Sequence, residues 1–152
     1  MARFTQPTDV GIALIGKQQS YSPEGGTLNG NQPTFSGNPG FYGIYAKSGD
    51  VISFSINVDF SNITNFGTGQ YYMTMPFTAQ HDLYFREGHL HDASSNKNYG
   101  ISAHVEEGTN VMKLFYTASN GQDEAFTHAN PVTLTTSDNF HIQGTYIDSA
   151  LS

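Results

Sequence analysis

The sequence has no cysteine and no tryptophan, few charged residues and no long apolar run. Each shortage excludes something. Without cysteine there are neither disulfides nor thiolate-held metals, so packing and hydrogen bonds must hold the core. Charged residues make up 12% of the 152 positions, about half the share of an ordinary soluble domain. The basic residues Arg3, Lys17, Lys47, Arg86, Lys97 and Lys113 are scattered, and the formal net charge is −7. No patch is built to neutralise phosphates, which argues against nucleic acid and anionic membrane as partners. No segment approaches the roughly 20 apolar residues of a membrane-spanning helix. The apolar patch at 10–15 follows Asp9 directly and is short for a signal-peptide core. The reading is a chain made in a cytoplasm without a secretion signal.

Catalytic motifs are missing too. There is no Gly-x-Ser-x-Gly elbow, and Gly67-Thr68-Gly69-Gln70 is not followed by the Gly-Lys-Ser/Thr of a phosphate loop. Asp82, Glu87, Asp92, Glu106, Glu107, Asp123 and Glu124 are carboxylates of the kind glycoside hydrolysis needs in pairs, but nothing fixes any two at catalytic separation. They read as solvated acids, and the chain as no enzyme.

In place of charge the chain has aromatics, 13% of residues, with abundant Gly, Asn, Ser and Thr. The clearest pattern is Ile52, Phe54, Ile56, Val58 and Phe60 alternating with Ser53, Ser55, Asn57 and Asp59. A period of two is a strand with one face buried and the other wet. Lys47-Ser48-Gly49-Asp50 before it predicts a tight turn to a partner strand at 43–46. Further strands are expected at 71–77, placed at a sheet edge by Pro76, at 83–91 with a bend at Gly88, and at 99–105, 111–117, 132–135 and 139–147. No helix is convincing and no long repeat appears. Strands at this spacing predict an all-β antiparallel β-sandwich, jelly-roll-like, over residues 40–152. Residues 1–39, dense in Gly and Pro, read as an extended N-terminal arm. Its apolar residues Val10, Ile12, Leu14 and Ile15 are candidates for docking on another subunit.

His89 and His91 share a strand face and form the candidate metal pair, which Asp92 or a third histidine would have to complete. The expectation is no cofactor. Loop aromatics Phe66 and Phe126 are candidates for an interface or for stacking on sugar. With Asn65, Asn96, Gln122 and Asp123 they form a candidate ligand-binding loop set at one end of the domain.

Three stretches carry a family resemblance: GFYGIYAKSGDVISFSINVDFSNITNFGTGQYYMTMPF, FREGHLHDASSNKNYGISAHVE and LFYTASNGQDEAFTHANPVTLTTSDNFHIQGTY. Together they cover roughly residues 21–147, and VDFSNITNFGTGQYY is the most specific part. They resemble the β-rich head domain of tailed-phage fibre, collagen-like or decoration virion proteins. The resemblance implies a non-enzymatic virion structural protein forming a homotrimer on the particle surface. The Gly-x-y stalk of that family is missing here. The implied role is therefore capsid decoration or cement, with the major capsid protein or another virion protein as partner. The alternative is a receptor-binding tip of a tail or head fibre that contacts host surface glycan. The resemblance carries no catalytic residue over.

Overall fold

A computed structural model describes residues 17–148, and every regular element among them is a strand. In chain order these are β1 (Gln19–Tyr21), β2 (Gly25–Leu28), β3 (Thr34–Phe35), β4 (Gly40–Ser48), β5 (Val51–Asp59), β6 (Ile63–Asn65), β7 (Gln70–Thr74), β8 (Leu83–Asp92), β9 (Lys97–Val105), β10 (Val111–Thr117), β11 (Asp123–Ala125) and β12 (Asn139–Ile147). The strands pair antiparallel in the order β1-β4-β5-β12-β8-β9-β10-β7-β2, with β11 pairing the second half of β10 beyond β7 and β3–β6 forming a small second sheet. The fold is all-β, antiparallel and curled into a sandwich-like half-barrel, as the alternation predicts.

Alternation builds the core strand by strand. On β5 the side chains of Ile52, Phe54, Ile56 and Val58 are buried while Val51, Ser53, Asn57 and Asp59 are exposed. The last long strand, β12, buries Phe140, Ile142 and Tyr146 against them. Ile101, Ala103 and Val105 of β9 and Met112, Leu114 and Tyr116 of β10 supply the facing layer. The turn from β4 to β5 needs only Gly49 and Asp50, and Gly49 adopts φ +60°, which a side chain would strain.

Two non-local pairings set the topology. β12 inserts between β5 and β8, and β7 lies beside β10 rather than beside β8. The order β7-β10-β9-β8 is a Greek key. The first and last strands of the ten-stranded sheet are β1 and β2, which only residues 22–24 separate in sequence. Three residues reach roughly 10 Å, so the two sheet edges must come together and the sheet must roll up. Cross-edge bonds hold the seam. The Tyr21 hydroxyl donates to the Thr74 carbonyl at 3.1 Å, and the Glu24 amide donates to Thr74 Oγ1 at 2.8 Å. The Tyr21 ring lies edge-on to Tyr45 and over Gly43, where an added Cβ would meet it at 2.5 Å. The Gln32 side-chain amide donates to the Thr27 carbonyl and accepts from its amide, which caps β2 as a strand would.

The structure corrects three expectations of detail. The boundary at residue 39 moves, because the described part of the expected arm contains β1, β2 and β3, each hydrogen-bonded into the domain. Val10, Ile12, Leu14 and Ile15 lie outside the described residues. Pro76 sits two residues past β7, which is an inner strand flanked by β10 and β2. The segment 132–135 is a loop, because the buried Asp138 carboxylate accepts the Thr135 amide at 2.8 Å and turns the chain there.

If the seam at Tyr21 holds the roll, Tyr21→Ala lowers unfolding free energy by about 2–3 kcal/mol in urea denaturation. Tyr42→Ala, at a tyrosine that is 64% exposed, changes it by no more than about 0.5 kcal/mol.

Candidate functional site

The antiparallel order gives the domain two unlike ends. Residues 29–39, 60–69 and 118–138 make the longest connections, all at one end together with the turn at 93–96, while residues 22–24, 49–50, 75–82 and 106–110 connect strands at the other. Asn65, Asn96 and Gln122 are all exposed at the long-loop end. Asn65 accepts the Gly67 amide at 2.8 Å, and Asn96 takes the left-handed conformation (φ +53°) that a tight turn needs. The aromatics expected beside them are spent on the core. Phe126 is fully buried against Tyr71 and Phe140, and Phe66 is half-buried against Phe60. The reason is local: the Phe126 amide and carbonyl bond Leu114 and Tyr71, which ties the loop under the sheet ends. Phe126 is therefore a core residue, not a ligand contact.

The histidine pair is similarly resolved. His89 and His91 point outward from β8, while Asp92 turns inward and is buried. Asp92 accepts from Ser94 and Ser95 hydroxyls at 2.7 and 2.6 Å, which hold its carboxyl below the usual carboxylate range. It closes a turn and faces away from the histidines. His91 Nδ1 lies 3.1 Å from Asn98 Oδ1, and the His89 ring neighbours His141. Among the described residues no three His, Asp or Glu side chains converge on a metal position.

The feature with chemical potential lies in the middle of β8. Phe85 pairs with Ala103 and Gly88 with Ile101, so β8 holds one residue more than β9 between those pairs. This is a β-bulge. Before it Leu83 and Phe85 face inward; after it Gly88 and Leu90 do. Tyr84, Arg86 and Glu87 all reach the outside as a result. The ladder between β12 and β8 ends at Gln143–Glu87, and beyond it the strands part. A groove of about 460 Å³ opens in this fork. Phe54, Phe85 and Gly144 form its floor, and Tyr84, Arg86, Glu87, Gln143, Ser53 and Thr145 its walls.

Gly144 makes the floor possible. A Cβ there would lie 2.3 Å from Phe85 Cδ1, and the Phe85 ring uses that space to pack edge-on against Phe54 at 5.1 Å. Tyr84 forms the ridge between this groove and a smaller hollow lined by Ser102, His104, Phe115 and Asp123. Its ring stacks on His104 at 4.6 Å with 12° between planes. The walls are cross-linked: Gln143 Nε2 donates to Glu87 Oε2 at 2.9 Å, Ser53 and Thr145 hydroxyls lie 3.0 Å apart, and Arg86 donates to Asp123 Oδ2 at 3.2 Å. Asp123, expected among the ligand-binding loops, thus sits in β11 beside this ridge. Two adjacent charges in a strand and a switch of inward residues from odd to even numbers were the signals of the bulge in the sequence.

No protein-family model matches the sequence, and no curated protein matches it. The fold is similar to part of the crystal structure of the Dettilon tailspike protein, with a TM-score of 0.56 and 16% sequence identity. The likeness covers 87% of this chain and 23% of that one, so the chain spans less than a quarter of that protein's length. At this identity the likeness is one of fold.

Gly144→Val forces Phe85 out of the floor and lowers stability by about 1–3 kcal/mol. Combining it with Phe85→Ala is expected to cost less than the sum of the two changes in urea denaturation, because the clash is then removed.

Proposed function

We propose that this chain is a non-enzymatic structural domain of a tailed-phage virion, carried as a homotrimer on the outside of the tail, where it contacts host surface glycan. The observation that carries the reading is the likeness of fold, over 87% of the chain, to one portion of a much longer tailspike protein. A domain of that kind is a module held on a particle, and many weak contacts repeated on one particle gain avidity. The charge-poor, hydroxyl- and amide-rich outer face of β5 and β12 supports the same reading, since few charges need desolvating at a contact. Capsid cementing would rest on residues 10–15, which lie outside the described chain, and the tailspike likeness favours the tail.

Antibody raised against the purified chain is expected to label the distal tail in electron micrographs of intact particles. Cells pre-incubated with the chain should adsorb fewer particles. Labelling confined to the capsid faces would overturn the tail assignment and restore the cement role.

A further inference from the structure

The groove at the strand fork has a ligand preference written in its walls. Tyr84 is 68% exposed although His104 covers one of its ring faces. The other face is therefore presented in a fixed orientation, and little rotamer freedom remains to be lost when something stacks on it. An aromatic face matches the C–H-rich face of a pyranose ring, and the hydroxyls around that ring need donors and acceptors. Gln143, Glu87, Ser53 and Thr145 supply both along the groove. Its volume of about 460 Å³ falls within the range of small-ligand clefts.

Charge narrows the class. The Arg86 guanidinium is engaged by Asp123, and among the described residues no cation lies within ion-pair distance of Glu87. An incoming phosphate, sialate or uronate meets an uncompensated carboxylate and a chain of net charge −7. We infer that the fork groove is a binding site for a neutral oligosaccharide, stacked on the free face of Tyr84 and hydrogen-bonded to Gln143 and Glu87. Its biological setting rests on the host-contact reading above; its chemistry stands on the groove. The site differs from the loop set Asn65, Asn96 and Gln122, where the buried Phe126 leaves no exposed platform.

The test is an array of neutral hexose, N-acetylhexosamine and deoxyhexose oligosaccharides alongside sialylated and uronate-containing ones, followed by saturation-transfer NMR on the hits. Neutral glycans are expected to bind with saturation passing from Tyr84. Tyr84→Phe keeps affinity within about threefold, whereas Tyr84→Ala weakens it by about tenfold or more, the loss expected when an aromatic anchor is truncated. Glu87→Gln lets acidic glycans bind that the native chain rejects. Failure of every neutral glycan, tighter native binding of acidic ones, or unchanged affinity in Tyr84→Ala would each overturn the site. Cell adsorption that survives Tyr84→Ala while the groove takes no sugar overturns the groove and leaves the host-contact reading standing. Neutral-sugar binding by a chain absent from the tail supports the groove and sinks that reading instead.

Discussion

One additional residue in β8 constrains most of what surrounds it. A strand that changes its inward phase halfway can serve two layers: beyond the bulge β8 pairs with both β12 and β9, while before it only β9 remains. The change of phase sends the Phe85 ring into the space that Gly144 leaves empty, and it puts Tyr84, Arg86 and Glu87 outside within four positions. Bulges bend strands and re-aim side chains. Here the bend also ends a ladder, and an unzipped ladder is a groove. The groove, its floor and its exposed wall residues are consequences of the same local irregularity.

The rest of the sheet makes that irregularity tolerable. A sheet with two free edges and a forked centre would expose many unpaired backbone groups. This one brings its first and last strands together through residues 22–24, secures the seam at Tyr21 and Thr74, and caps β2 with the Gln32 amide. The small β3–β6 sheet and Phe126 close the long-loop end, with Phe35 edge-on to Phe41 and Phe126 edge-on to Phe140. With no cysteine in the sequence and no metal-holding cluster among the described residues, aromatic packing across the seam and under the loops carries this role. On the outer face of β5 and β12 uncharged side chains also pair across the strands, as in the Ser53–Thr145 hydroxyl contact at 3.0 Å.

Much of the architecture was legible in the sequence. The alternation at 52–60, 99–105 and 139–147 marks strands whose inward residues are those buried in the structure, and Gly49-Asp50 marks their first hairpin. Pairing partners were not legible, because insertion of β12 between β5 and β8 is a long-range fact with no local signature. Residues 19–35 were missed as strands because two to four residues are too few to show a period, and Gly and Pro dominate around them. Phe126 lies in a polar loop, GQDEAFTH, whose composition hides that its backbone is tied to Leu114 and Tyr71. The groove was the least visible element, since it depends on where two strands separate. Only the phase shift from Leu83 and Phe85 to Gly88 and Leu90 pointed to it.

The central claim is that β8 and β12 part company after Glu87 and Gln143. Residue-resolved amide hydrogen exchange along β12 tests it directly, because protection follows whether each amide has a strand partner. The account predicts that amides of residues 139–143 facing β8 are protected, while those of residues 144–147 on the same side exchange rapidly. Uniform protection along the whole β8-facing side of β12 would mean that the strands remain zipped and that no groove exists between them.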